Sequence, residues 1–215
     1  MSRYVIPGLL VAALSASSAL VADTKVEGFK LGLGLGLNTS GYADPDQKKE
    51  GDLVASTTRL GASFVASYIH LIDAFAVGVE LNATMPFGTK KSNVDPDETS
   101  NYVELKPKFG FGGHLVLGAN LDGTMPAIKV GYQKAGLKTE GVGDYKDDKS
   151  KKTELSAGGL SWGFAMDKAL TDNFVIGLSA MRHTGSGKIK VDGKEQTDKT
   201  NLKSWDVQVR GMYQF

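Results

Sequence analysis

The last eleven residues, Trp205 to Phe215, alternate without a break. Trp205, Val207, Val209, Gly211, Tyr213 and Phe215 fall on one side, and Asp206, Gln208, Arg210, Met212 and Gln214 on the other. Successive side chains of a strand point to opposite faces, so this segment separates an apolar surface from a charged one. A soluble barrel buries its apolar face inside. A transmembrane barrel does the reverse, with lipid outside and a polar lumen.

The pattern recurs along the chain. Phe29, Leu31, Leu33, Leu35 and Leu37 oppose Lys30 and Gly32, Gly34 and Gly36. Leu60, Ala62, Phe64, Ala66 and Tyr68 oppose Arg59, Gly61, Ser63 and Ser67, and Phe75, Val77, Val79, Leu81, Ala83 and Met85 oppose Gly78, Glu80, Asn82 and Thr84. A fourth segment sets Val103, Leu105, Pro107, Phe109, Phe111, Leu115 and Leu117 against Glu104, Lys106, Lys108, Gly110, Gly112 and His114. A short fifth holds Ile128, Val130 and Tyr132, a sixth Leu160, Trp162, Phe164 and Met166, and a seventh Phe174, Ile176, Leu178 and Ala180. With the terminal strand these predict eight, an even number and the smallest usual one for a membrane barrel. The expected fold is all-β: an eight-stranded antiparallel up-and-down transmembrane β-barrel. Because Pro cannot donate to a ladder, Pro107 predicts a bulge or an upper-rim position.

Connections alternate in length. Those around His70 to Asp73, Gly118 to Gly123 and Asp167 to Asp172 are short; those through about residues 39–54, 88–101, 139–154 and 185–201 are long and polar. Short periplasmic turns and long external loops characterise such barrels. Tyr68, Phe75, Phe164, Phe174, Tyr213 and Phe215 cluster towards the turns, and Phe87, Tyr102 and Trp205 towards the loops, as two interfacial girdles require.

Residues 1–22 predict a secretory signal peptide: Arg3 opens it, Val5 to Leu14 form the apolar core, and Ser15 to Ala22 supply small residues, with cleavage after Ala22 or Ala19. The alternative, a membrane anchor, suits Pro7-Gly8 and the Ser/Ala-rich end poorly. The barrel then occupies 23–215, with 24 basic and 24 acidic side chains. That balance argues against a nucleic-acid partner. Cys is absent, which excludes disulfides and thiolate metal sites.

The expected lumen carries Lys30, Arg59, Lys106, Lys108, Lys129 and Arg210 against Glu80, Glu104 and Asp206. Glu80 and Arg210 lie at similar heights, and Asp206 is level with Lys108 and Arg59, which predicts buried ion pairs. The competing expectation is a small, mildly anion-selective pore.

Candidate chemistry is sparse. His70 lies at a turn and His114 near the turn end, so these two do not cluster. His183, in Arg182-His183-Thr184-Gly185-Ser186, sits at the outer end of its strand and is expected at the rim. The run is similar to the His-x-Ser-Asn motif of outer-membrane lipid A deacylases, but Gly185 stands where the nucleophile belongs and Ser186 faces the other way. Nucleophile and base must lie within hydrogen-bond reach, so an enzyme is not expected. Asp44-Pro45-Asp46 and Asp95-Pro96-Asp97 predict solvated turns, since no defined multi-oxygen loop surrounds them. No cofactor or metal is expected. The mixed-charge stretch Asp144 to Lys152 predicts a solvated tip. Lys188-Ile189-Lys190-Val191 followed by Asp192-Gly193 predicts a hairpin ribbon beyond the membrane.

Over residues 23–215 the chain resembles the small outer-membrane β-barrel proteins grouped with OmpA/OmpX-like and opacity-type surface antigens. Tyr213-Gln214-Phe215 resembles their closing-strand signal. The resemblance implies an outer-membrane location, partners in outer-membrane lipid, lipopolysaccharide and the barrel-assembly machinery, and a host or extracellular ligand at the loops. It implies roles as antigen, adhesin, envelope-stabilising protein or minor pore. No peptidoglycan-binding domain is expected after the barrel.

Overall fold

The computed structural model describes residues 25–43, 55–88, 90–93, 102–142, 153–191 and 194–215. The expected signal peptide, both Asp-Pro-Asp turns, the mixed-charge tip and Asp192-Gly193 lie outside the described residues. The strands are β1 (Gly28–Ala43), β2 (Ala55–Ile72), β3 (Phe75–Pro86), β4 (Lys90–Asn93), β5 (Tyr102–Ala119), β6 (Thr124–Val142), β7 (Thr153–Ala169), β8 (Phe174–Val191) and β9 (Lys194–Gln214). Their order is β3-β2-β1-β9-β8-β7-β6-β5-β4, and a further β3–β5 pairing closes the sheet. β3 and β4 pair with successive parts of β5 and act as one interrupted stave. The result is a closed eight-stranded antiparallel barrel. Closure follows from the solvent: unpaired N–H and C=O groups cost several kcal/mol each in hydrocarbon, so strands span it only without edges.

Local chemistry makes the short turns. Asp73 (φ 55°) turns the chain between β2 and β3. Asp122 (φ 48°) and Gly123 (φ 74°) do so between β5 and β6, where Leu121 bridges Thr124. Glycine enters the left-handed region without steric cost, and Asp tolerates it. Between β7 and β8 the Thr171 hydroxyl accepts from the Phe174 amide at 3.1 Å.

The outer face is apolar: Leu33, Phe75, Leu81, Leu115, Phe164 and Phe215 are each more than 60% exposed. In a soluble protein this would be an aggregating surface; here it matches hydrocarbon. Tyr68, Phe75, Phe164, Phe174, Tyr213 and Phe215 ring the turn end, while Phe87 and Trp205 stand at the other, all exposed. The Tyr102 side chain lies outside the described set.

Two expectations need correction. β6 is long, not short, at 19 residues. Beyond Tyr132 its outward positions become Lys134, Gly136 and Lys138, so the apolar signal stops before the strand does. β5 contains a register shift between Lys108 and Phe111. A bulge places two residues opposite one and resets the alternation. Above it Pro107 pairs with buried Leu137 and therefore faces inward, while Lys106 and Lys108 face outward.

Candidate functional site

The barrel interior is layered. At the turn end, Val26, Val65, Ile69, Ala76, Val116, Met125, Ala127, Ala169, Val175 and Met212 form one apolar cluster. At the loop end, Leu137, Leu155, Ala157 and Leu202 form another. Between them lies a polar belt containing Lys30, Glu80, His114, Lys129, Gln133, Ser161, Asp167, His183, Asp206 and Arg210, all buried. An eight-stranded barrel is just wide enough for side chains to fill it.

Glu80 on β3 is the centre of the belt. Lys129 Nζ donates to both its carboxylate oxygens, at 2.7 and 2.6 Å. Arg210 Nη1 donates to Glu80 Oε2 at 2.7 Å, and its Nη2 donates to Asp167 Oδ1 at 2.6 Å. One guanidinium thus joins β3 to β7 through β9, using the fork geometry that suits Arg to carboxylates. Lys30 is fully buried, and its ammonium has no hydrogen-bond partner among the described residues. Unpaired buried charges are costly, so the pairing of these groups determines whether the lumen is stable.

Glu80 and Arg210 are therefore brought together. The other three residues expected with them are not. Arg59 and Asp206 flank Asn38 in register, on β2 and β9, but Arg59 donates to the carbonyl of Gly88. Asp206 instead accepts from Gln208 Nε2 at 2.8 Å. A cavity of about 10 Å³ lies beside it, lined by Asn38, Thr84 and Gln208 among others, with room for about one water. Lys108 is on the outside of the barrel, where it pairs with Glu154 at 2.7 Å. The bulge is the reason: without it, Lys108 would have pointed inward. Outside the membrane-spanning part, Lys108 donating to Glu154 holds that carboxyl below its ordinary range.

Asp167 was expected in a turn and is in the lumen. Its place was readable as the next term of Ser161, Gly163 and Ala165. His183, expected at the rim, is also inside. Its Nδ1 lies 2.7 Å from the Ser161 hydroxyl, which is 2.8 Å from His114 Nε2. Ser161 therefore joins two imidazoles from strands that do not neighbour one another. Ser186 is exposed on the outer face, away from His183. A serine flanked by imidazoles has two of the parts of a nucleophile, but Ser161 is fully buried within the polar belt. No group of three or more His, Cys, Asp or Glu suited to a metal occurs among the described residues. A concavity of about 850 Å³ lies on the outer face among Phe75, Ile128, Phe164 and Met166, against hydrocarbon.

Tyr213 and Phe215 close the barrel at the turn end. The Phe215 amide donates to Phe29 O at 2.9 Å. Its ring lies 5.8 Å from that of Phe29 and 4.9 Å from that of Tyr213.

A family model described as the outer membrane protein beta-barrel domain matches residues 8–215. The chain belongs to that family. Among curated proteins none matches this barrel. Of solved structures, OprG from Pseudomonas aeruginosa is similar at 17% identity, covering 89% of this chain and 98% of that one, with a TM-score of 0.53. Neisserial surface protein A is similar at 12% identity, covering 88% and 98%, with a TM-score of 0.50. At such identities the shared property is the fold, and one fold hosts many functions.

Proposed function

We infer that this outer-membrane barrel is a non-conducting, non-enzymatic scaffold whose loop end meets the exterior as adhesin, antigen or envelope contact. One observation carries the reading: an apolar cluster drawn from β2, β3, β5, β6, β7, β8 and β9 fills the turn end of the lumen, beneath the paired Glu80, Lys129, Arg210 and Asp167. Ions need a continuous wet path, and that turn-end cluster interrupts it. Ser161 is fully buried, which keeps substrates from it. The chain is delivered by cleavage of residues 1–22, assembled with the barrel-assembly machinery through Tyr213 and Phe215, and surrounded by lipopolysaccharide and outer-membrane lipid. The loops face outward and the turns face the periplasm, as the loop lengths and aromatic girdles require.

The test is single-channel recording of the refolded 23–215 barrel in planar bilayers, after a heat-shift gel shows that it is folded. Silence is expected. Discrete, reproducible conductance steps in the unmodified protein would replace the scaffold with the small-pore reading.

A further inference from the structure

The β5 bulge has a consequence for the outer surface. Above it, Lys106 and Lys108 join Lys134 and Lys138 on the outward faces of two neighbouring strands. Lys108 lies opposite Gly136, between Lys134 and Lys138, and Lys106 lies directly opposite Lys138. A Cβ on Gly136 would come within 3.1 Å of Lys108 Cβ, so the glycine leaves room for the lysine to lie across β6. Directly opposed like charges destabilise a sheet. Glu154 is bound to Lys108 at 2.7 Å and stands opposite Lys138 on β7, and Lys106 and Lys138 each make a further contact. One row further from the membrane the register places Glu104 opposite Glu140. The lysines thus stand immediately above the exposed Phe109, Phe111 and Tyr132. That height is where lipid headgroups lie.

We propose that Lys106, Lys108, Lys134 and Lys138 form a phosphate-binding patch for the headgroup of a phosphorylated glycolipid of the outer leaflet. An ammonium on a flexible stem binds phosphate as a point charge. Four of them on one outward face, with aromatic and aliphatic side chains beneath, match a ligand that is anionic above and hydrocarbon below. The bulge gains its purpose here: it turns two lysines from the lumen, where they would be buried charges, towards headgroup phosphates. This rests on the proposed orientation, with the loop end in the outer leaflet.

The test measures binding of bisphosphorylated lipid A to the folded 23–215 barrel in detergent by native mass spectrometry. Dephosphorylated lipid A and inorganic phosphate are the comparison probes. Each lysine near an anionic surface contributes about fivefold in affinity. Lys106→Gln/Lys108→Gln/Lys138→Gln should therefore weaken lipid A binding about a hundredfold, while Lys168→Gln at the turn end leaves it unchanged. Dephosphorylated lipid A should bind no better to wild type than to the variant. If the triple variant loses its heat-shifted band, Lys108→Gln/Lys138→Gln carries the test, with a loss of about 25-fold expected. Equal affinity of wild type and variant overturns the proposal, as does equal affinity for the dephosphorylated lipid. Displacement of lipid A by equimolar inorganic phosphate would also overturn it, because the patch would then read any anion. Orientation is read separately, from protease cleavage of the long loops on intact cells. Loops protected there, with lipid A binding retained in detergent, would refute the orientation and not the patch.

Discussion

Removing the Glu80 carboxylate is the perturbation that most directly probes the lumen. Lys129 makes both its hydrogen bonds to Glu80, and Arg210 would keep only Asp167. Glu80→Ala therefore leaves Lys129 buried without a hydrogen-bonded anion, beside Lys30, whose ammonium already lacks a hydrogen-bond partner among the described residues. Breaking a buried pair by deleting one partner costs about 3–5 kcal/mol. With a urea slope of roughly 1–3 kcal/mol per molar, the midpoint should fall by more than about 1 M. The assay is urea unfolding of the barrel in lipid vesicles, scored by the folded band on unheated gels. A second variant isolates the pair: Glu80→Gln/Lys129→Met leaves the Arg210–Asp167 bond in place and removes both mismatched charges. It should be more stable than the sum of its single variants implies, by about 1–3 kcal/mol. An unchanged midpoint for Glu80→Ala, or strictly additive single and double variants, would refute the claim that these charges hold the lumen together.

Other expectations follow from the same geometry. A Cβ at Gly131 would sit within 2.7 Å of His114 Cα, so Gly131→Ala should cost about 1–3 kcal/mol in the same urea assay. Gly113→Ala, whose nearest neighbour would be Leu81 Cδ2 at 3.4 Å, should be close to neutral. Deleting Gly110 removes the bulge and returns Lys106 and Lys108 to the inward face, because a one-residue slip reverses every side chain. The deletion should abolish the heat-shifted band, and its survival would count against the assigned register. Phe215→Ala should lower the amount of barrel assembled in cells while leaving the urea midpoint of refolded protein nearly unchanged; a large fall in that midpoint would make the residue structural instead.

Where the sequence misled, a local irregularity or an interior preference was responsible. Period-two alternation makes each strand's outward face legible for as long as hydrocarbon surrounds it, which is why the outward residues from Leu31 to Leu37 and from Val207 to Phe215 were placed correctly. It does not reveal a bulge, so alternation alone points Lys108 into the lumen although Pro107 signals a disruption nearby. Nor does it say that a narrow lumen is partly apolar. Val65, Ile69, Val116 and Val175 stand at inward positions of their strands and are buried, and a rule expecting polar interiors passes over them. Side-chain direction is a further gap. Arg59 and Asp206 share a level in the register, yet Arg59 reaches Gly88 and Asp206 takes Gln208.

By itself the sequence determined that this chain crosses a membrane as strands, how many there are, which end carries the long loops and that Glu80 and Arg210 share a level. These follow from periodicity, turn chemistry and the cost of unpaired backbone in hydrocarbon, all of which act along one chain. Only the tertiary structure decided which inward side chains meet across the lumen: Arg210 spanning to Asp167, Ser161 between two histidines, and an apolar cluster filling the turn end. Those contacts join strands that are remote in sequence, and the shear and bulges that align them leave no periodic trace.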